Sequence, residues 1–197
     1  MLILTKRTFA INTSKTQGGA VHCAAGEIKA TDCTFTSNKA TRYGGAIRVD
    51  GGATGTVEGG TFSLNEATIG GGAISGNSAN LKVKNSTLSE NNSVDGGAIY
   101  IGSGTEAVTL NNIVFESLVF EKNVATTDGG AIYNVSRTLD ITDCTFDQTD
   151  EGKNSPVDIY NESGVLNVSE DCEYTTNTTT AQMFLRKFFA TVVDALL

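Results

Sequence analysis

One unit of about 26 residues recurs along most of this 197-residue chain, and a repeat of that length permits few folds. The unit reads Thr-Phe-x-x-Asn, some five variable residues, Gly-Gly-Ala-Ile, and a short stretch of alternating polarity. Its aromatic position is filled seven times, at Phe9, Phe35, Phe62, Leu88, Phe115, Phe146 and Tyr174. Its glycine pairs are Gly18 and Gly19, Gly44 and Gly45, Gly71 and Gly72, Gly96 and Gly97, and Gly129 and Gly130. Such a period indicates stacked, nearly identical turns.

The residues before each aromatic position alternate between apolar and polar, as in Leu81-Lys82-Val83 and Leu139-Asp140-Ile141. This period of two is typical of strands with one buried face. No helical stretch separates the strands, which excludes a βα sheet, and the unit is too short for a propeller blade. We therefore predict an all-β fold, a right-handed parallel β-helix (solenoid) of six to seven coils over residues 1–177, with equivalent residues about 4.8 Å apart.

The stacked positions predict columns with distinct roles. Phe, Ala and Ile of the unit are expected to face inward as apolar columns, and Gly-Gly to turn a corner at backbone angles that other residues resist. The Asn three residues after the aromatic position is expected to stack as a hydrogen-bonded amide ladder. The predicted ladder consists of Asn12, Asn38, Asn65, Asn91, Asn123 and Asn177.

One coil contains a near-duplication of five residues. The segment 114–118, Val-Phe-Glu-Ser-Leu, is followed at once by the segment 119–123, Val-Phe-Glu-Lys-Asn. We interpret the duplication as an insertion at one corner of that coil. Glu116 and Phe120 are then expected to be exposed there and available for surface contacts.

The last segment, residues 178–197, breaks the period. Its apolar residues come in pairs four apart, from Phe184 and Leu185 to Leu196 and Leu197, which predicts an amphipathic helix. We expect this C-terminal helix to cap the last coil, whose strand edges would otherwise be exposed. An oligomer contact and a lipid-surface contact are the alternatives.

Charge limits the classes of partner. The net charge of −8 excludes general nucleic-acid binding, and no stretch is long and apolar enough to predict a membrane span. Residues 1–49 carry seven Lys and Arg against two acidic residues, whereas residues 50–177 carry five against nineteen. Charges scattered over a solvated surface explain this imbalance, and the alternative hypothesis is that the polar rod associates end to end into open filaments.

The cysteines and the single histidine do not form a catalytic or metal signature. No Cys-x-x-Cys occurs and His22 has no evident nucleophile partner, so we predict no catalytic residue and no obligatory cofactor. Cys144 and Cys172 occupy one column, which leaves a disulfide or two free buried thiols as alternatives. Asp143 and Asp171 precede them and are weak Ca²⁺ candidates, the alternative being ordinary turn residues.

The paired motifs resemble a known family of surface proteins. Gly44-Gly45-Ala46-Ile47 and Phe35-Thr36-Ser37-Asn38 are similar to the repeats of the chlamydial polymorphic membrane proteins. The resemblance implies a β-helix displayed outside the cell that acts in adhesion, with a protein or glycan receptor. Residues 1–6 do not read as a signal peptide, so we expect either an intracellular chain or a piece of a secreted one.

Three functions follow from these patterns. The first is a non-enzymatic extracellular or surface module for adhesion or structural assembly. The second is ice binding by a row of threonines that Val114 interrupts and Glu173 ends. Its members are Thr8, Thr34, Thr61, Thr87 and Thr145. The third, a polysaccharide lyase or hydrolase, is weakest because the chain has no Trp platform for sugar rings.

Overall fold

The computed structural model describes residues 1–103, 113–149 and 151–175. These residues form 23 strands, joined by parallel pairing into three sheets, and contain no helix. The fold is a parallel β-solenoid of about six turns, as the repeat predicts. The right-handed sense remains the prediction, since parallel crossovers are almost always right-handed. Asn177, the predicted end of the coils at residue 177 and the amphipathic helix at 178–197 lie outside the described residues.

Most coils contribute two short strands to a twelve-stranded sheet. The strands that come first in their coils are β1 (Leu2–Thr5), β5 (Glu27–Thr31), β9 (Thr54–Glu58), β19 (Leu139–Thr142) and β22 (Leu166–Val168). Those that follow are β2 (Thr8–Ala10), β6 (Thr34–Thr36), β10 (Thr61–Ser63), β20 (Thr145–Asp147) and β23 (Glu173–Thr175). In two coils one strand covers both positions, namely β13 (Asn80–Ser89) and β16 (Ile113–Glu121).

Two smaller sheets close the coil. The five-stranded sheet consists of β3 (Thr13–Ser14), β7 (Lys39–Ala40), β11 (Glu66–Ala67), β14 (Asn92–Asp95) and β17 (Val124–Asp128). The six-stranded sheet consists of β4 (Val21–Cys23), β8 (Ile47–Asp50), β12 (Ile74–Asn77), β15 (Ile99–Gly102), β18 (Ile132–Asn134) and β21 (Ile159–Asn161). Each motif of the repeat thus has a fixed place: Thr-Phe on the first sheet, and Ile on the third.

The inward columns fill the interior with stacked side chains. The rings of Phe35 and Phe62 lie 4.8 Å apart at 5°, and those of Phe120 and Phe146 lie 5.0 Å apart at 7°. All four side chains are fully buried. Because the coil spacing matches the stacking distance of aromatic rings, one column gives both area burial and ring contact.

The amide ladder runs through the interior beside these rings. The backbone N–H and the Nδ2 of Asn38 both donate to Oδ1 of Asn65, each at 3.0 Å. Asn65 donates in the same way to Asn91, at 3.1 and 3.0 Å. The ladder members from Asn38 to Asn123 are fully buried, so each amide satisfies its neighbour where water has no access.

The amide ladder contains one asparagine that the spacing of three residues after the aromatic position did not predict. The N–H and Nδ2 of Asn123 donate to Oδ1 of Asn154 at 3.0 and 2.8 Å. Asn154 stands eight residues after Phe146 instead of three, so the stretch between them is five residues longer in the sequence than the fixed offset. The outer end of this column is a carboxylate: Nδ2 of Asn154 donates to Oδ1 of Asp158 at 2.9 Å.

The carboxyl group of Asp158 makes the stability of the last coils depend on pH. Burial raises its pKa to about 6, against the hydrogen bonds from Asn154 and Gln148, which lower it. The folded state therefore binds this proton more tightly than the unfolded state does. The associated stability is fully present below pH 3.8 and is lost as the pH rises through about 6.

We expect the free energy of unfolding to fall by on the order of 2 kcal/mol between pH 4 and pH 7.5 because of Asp158. The Asp158→Asn variant cannot ionise at this position, so its pH dependence should be flatter by that amount. Urea unfolding of both proteins at the two pH values measures the difference. Identical pH dependence in the two proteins would contradict this assignment.

The near-duplicated segment is not an insertion at a corner, and this expectation was wrong. Phe120 pairs with Leu88 and Phe146 and thus occupies the aromatic column, while Phe115 pairs with Val83 in the first half of the same two strands. Both phenyl rings are fully buried, so Phe120 is not a surface contact. Glu116 is partly exposed and forms an ion pair with Lys84 of the preceding coil.

The extra residues of that coil lie elsewhere. Gly102 pairs with Asn77, and Ile113 pairs with Leu81. Gly102 and Ile113 are eleven residues apart in the sequence, whereas their partners in the preceding coil are only four residues apart. The insertion therefore falls between Gly102 and Ile113, mostly outside the described residues. The register of strand pairing, and not the duplicated Val-Phe-Glu sequence, shows where the insertion lies.

Candidate binding face

Four tyrosines form a continuous row on the outer face of the six-stranded sheet. Tyr100, Tyr133 and Tyr160 are paired in register on β15, β18 and β21, and Tyr43 extends the row from the corner before β8. The ring centroids are 5.4 Å apart between Tyr43 and Tyr100, 5.5 Å between Tyr100 and Tyr133, and 4.9 Å between Tyr133 and Tyr160. We call these four side chains the tyrosine row.

The local sequence explains why these rings face outward. In β15, Ile99 and Ile101 are fully buried and Tyr100 between them is half-buried, as the pleat of a strand requires. The ring of Tyr100 also lies against Gly70, where an added Cβ would stand 2.7 Å from ring atoms. Any larger residue at Gly70 would displace this ring from the row.

Two phenol groups of the row, those of Tyr100 and Tyr133, stay neutral at physiological pH. Burial, with the negative groups Asp95 and Glu162 nearby, raises the pKa of Tyr100 to about 12. The pKa of Tyr133 is raised in the same direction by burial and by Glu162, to which its hydroxyl donates at 3.3 Å. A neutral phenol offers an apolar ring face and one hydroxyl group, the combination often found at binding surfaces.

A buried arginine lies at one end of the row. Arg48 is 4% exposed, donates from Nη1 to Oγ of Ser75 at 2.7 Å, and pairs through Nη2 with Oδ1 of Asp50 at 2.5 Å. Its guanidinium carbon lies 4.8 Å from the ring centroid of Tyr43. Nε2 of His22 contacts the other carboxylate oxygen of Asp50 at 2.9 Å. The carboxylate of Asp50 therefore compensates the positive charge of Arg48.

A cavity of about 480 Å³ opens between this arginine and the tyrosine row. We call it the arginine pocket. Its lining is rich in polar side chains and includes Gln17, Arg42, Tyr43, Arg48, Asp50, Asn77 and Tyr100. Its volume falls within the usual range of small-ligand sites.

The threonine row is present in register, with one correction. Thr34, Thr61 and Thr87 pair directly on adjacent strands, and Thr8 and Thr145 belong to the same column. The interruption is at Val119 and not at Val114, because Phe120 and not Phe115 fills the aromatic column. A second row of small hydroxyl residues runs beside it and includes Thr36 and Ser63, linked by a hydrogen bond of 3.1 Å.

Cys144 and Cys172 are neighbours on adjacent coils, and the N–H of Cys144 lies 3.5 Å from Sγ of Cys172. Neither cysteine forms a disulfide in the structure, and the choice between the two alternatives stays a prediction. Side chains at paired positions of parallel strands point the same way, which does not suit a disulfide dihedral angle. Burial raises the pKa of Cys144 to about 12, so this thiol is also unreactive.

Asp143 and Asp171 stack as expected, but through a hydrogen bond. The N–H of Asp143 donates to Oδ1 of Asp171 at 3.1 Å, and Oγ of Ser117 donates to the carboxylate of Asp143 at 2.7 Å. Hydrogen bonds from Ser169 and from the N–H of Asp143 lower the pKa of Asp171. Within the described ranges, no three His, Cys, Asp or Glu side chains are grouped as a metal site would need. The calcium prediction stays untested.

Sequence reasoning missed the tyrosine row although its signal is visible. The residue after Gly-Gly-Ala-Ile, or its equivalent in each coil, is in turn His22, Arg48, Ser75, Tyr100, Tyr133 and Tyr160. A search for conserved repeat positions passes over a column that varies in this way. Function is expected at such varied, outward positions, since the invariant ones hold the coil together.

Comparison with known proteins agrees with this register. The profile of the Chlamydia polymorphic membrane protein repeat matches residues 32–50 and 117–135. Neither curated proteins nor solved structures give a match to the chain. No helix among the described residues is long and apolar enough to cross a membrane. Both matched segments begin at a corner residue and run through Phe-x-x-Asn to the Gly-Gly-Ala-Ile strand, with Phe120 as the aromatic residue of the second. The chain thus carries repeats of the Chlamydia polymorphic membrane protein type.

Proposed function

We propose that this protein is a non-enzymatic β-solenoid module at a cell surface, where the tyrosine row contacts a protein or glycan receptor and mediates adhesion. The observation that carries the proposal is the row itself: four phenol rings that contact one another along one face. Exposed aromatic side chains with polar neighbours are typical of binding surfaces. The repeat type supports an outer-membrane or surface location.

The arginine pocket supports binding more than catalysis. Glycoside hydrolysis needs two carboxyl groups about 5 to 10 Å apart on either side of the scissile bond. Among the described residues that line the pocket, Asp50 is the one carboxylate, and it is already paired with Arg48 and His22. A carboxylate held in this way orients an arginine and is poorly placed to transfer a proton.

The adhesion proposal is tested with protein-coated beads on cultured epithelial cells. We expect the double variant Tyr100→Ser, Tyr133→Ser to reduce the number of bound beads about tenfold, because central aromatic side chains dominate binding energies. The matched control is Val119→Ser, Val124→Ser, which removes exposed apolar groups from the other two sheets. Equal loss in both double variants, or no loss in the tyrosine variant, would contradict the proposal.

Ice binding is a second candidate, favoured by the two adjacent hydroxyl rows on the twelve-stranded sheet. A flat array of threonines repeating at about 4.8 Å is regular enough to order water. If it does so, a Thr61→Lys substitution in the middle of the row should abolish thermal hysteresis. Thermal hysteresis that is absent from the unaltered protein, or unchanged in the variant, would rule this candidate out.

A further inference from the structure

We propose that the arginine pocket binds a saccharide that carries a carboxylate, such as a sialic acid or a uronic acid. This inference rests on the proposed adhesive function and names the receptor class. Three properties of the pocket lead to it: aromatic walls, unpartnered polar atoms, and one uncompensated positive charge.

The aromatic walls suit a pyranose ring. Tyr43 and Tyr100 line the pocket with their rings inclined at 39° and their centroids 5.4 Å apart. The C–H face of a sugar packs on such rings, and their hydroxyl groups can still hydrogen-bond to its edge. The guanidinium groups of Arg42 and Arg48 lie 5.8 and 4.8 Å from the ring centroid of Tyr43 and hold that ring in place.

Two residues of the lining carry a buried polar atom with no partner in the protein. These atoms are Nε of Arg48, a donor, and Oε1 of Gln17, an acceptor. Arg48 is 4% exposed, so its free N–H is costly unless a ligand or solvent reaches it. A ligand with several hydroxyl groups supplies both kinds of partner, because each hydroxyl donates one hydrogen bond and accepts others.

The charge of the pocket selects a singly charged acid. The positive charge of Arg48 is compensated by Asp50, whereas Arg42 pairs with no acidic side chain among the described residues. One free guanidinium group favours one carboxylate, which it binds with two parallel hydrogen bonds. The net charge of −8 opposes highly charged polyanions, so a short chain with a single acidic sugar fits the site best.

The binding test uses the whole chain and named saccharides. The protein has five Tyr and no Trp, so tyrosine fluorescence reports directly on rings that a sugar contacts. We expect sialyllactose, or a disaccharide containing glucuronate, to bind at least about fivefold more tightly than lactose. Whichever of these two acidic saccharides binds identifies the carboxylate of the receptor as that of a sialic acid or of a uronic acid. Equal affinity for lactose and both acidic sugars, or no binding of any of them, would overturn the proposal.

Matched variants locate the site. Arg42→Gln removes the exposed cation and should reduce the preference for the acidic sugar to about that for lactose. Tyr43→Ala should weaken binding of every sugar about tenfold. Arg7→Gln, at an exposed position between β1 and β2, and Lys29→Gln, at an exposed position of β5, are the controls and should bind as the unaltered protein does. Loss of binding in the controls, or none in Arg42→Gln and Tyr43→Ala, would overturn the assignment.

The two proposals fail in different ways. If bead adhesion depends on the tyrosine row but no acidic sugar binds, the adhesive function stands and the receptor is not an acidic saccharide. If acidic sugars bind in the pocket but beads do not adhere, the pocket assignment stands and the adhesive function does not.

Discussion

Substitution of Gly72 by alanine is expected to destabilise the protein by more than about 4 kcal/mol or to prevent folding. An added Cβ would lie 2.3 Å from the carbonyl oxygen of Gly97 and 2.6 Å from the backbone of Asn92. All of these contacts are with backbone atoms of the next coil, so no side-chain movement relieves them. The coils would have to separate, which breaks the pairing hydrogen bonds on both sides of the corner.

Gly52→Ala is the matched control for Gly72→Ala. Gly52 has a φ of +77°, which disfavours alanine, but its added Cβ would meet nothing within 4 Å. This substitution is expected to cost only about 1 kcal/mol, the ordinary penalty of left-handed backbone. Urea unfolding followed by circular dichroism measures both variants. Similar losses for the two would show that close approach of the coils is not what requires Gly72.

Asn65→Ala is expected to lower the free energy of unfolding by about 3 to 5 kcal/mol. Its Nδ2 donates to the carbonyl oxygen of Phe35 and to Oδ1 of Asn91, each at 3.0 Å. Its Oδ1 accepts two hydrogen bonds from Asn38. Removal of one amide therefore leaves several fully buried polar groups without partners, and water does not reach them.

Asn12→Ala tests whether burial is the cause. Asn12 donates from Nδ2 to Oδ1 of Asn38 at 2.8 Å, but it stands at the exposed end of the ladder, where water replaces the lost group. We expect a loss of about 1 kcal/mol or less, measured in the same urea titration. Equal losses for Asn12→Ala and Asn65→Ala would mean that the ladder is not what makes the position essential.

The ladder also holds a strained corner. The residue just before each ladder asparagine from Asn12 to Asn123 has a positive φ, as at Ile11 (60°), Leu64 (57°) and Glu90 (54°). These residue types resist the left-handed region, and the sequence does not indicate a corner there. The following asparagine fixes the backbone on both sides of the corner by its hydrogen bonds to the neighbouring coil. Because the ladder asparagine holds the backbone in place, the left-handed residue before it can be of almost any type.

The other left-handed corner, three residues before the aromatic position, follows from residue type. Lys6, Asp32, Asn85 and Asp143 all have φ near +50°, and all but Lys6 are types that tolerate it. In the coil with the near-duplication this position is filled by Ser117, with a φ of 53°, three residues before Phe120. The sequence alone does not identify it, because Val-Phe-Glu occurs twice, five residues apart, and either copy fits the motif.

Residue type alone explains only one of the two glycines in each Gly-Gly pair. The sequence predicts that both glycines of a pair turn a corner. In the structure only the first does, with φ of +70° at Gly71, while the second is required by the approach of the next coil. Both positions are glycine, but for different physical reasons. The close approach that requires the second glycine exists only when another coil is stacked above it.

The sequence by itself determined the all-β class, the coil period, the aromatic and amide columns and the repeat type. It did so because identical positions in stacked coils contact one another, so that their residue types recur at one spacing. Only the tertiary structure decided which copy of the duplicated segment enters the column, that Asn154 extends the ladder, and that Tyr43 joins Tyr100 in one face. These features depend on register between coils, and register is a property of the stacked chain that no single unit contains.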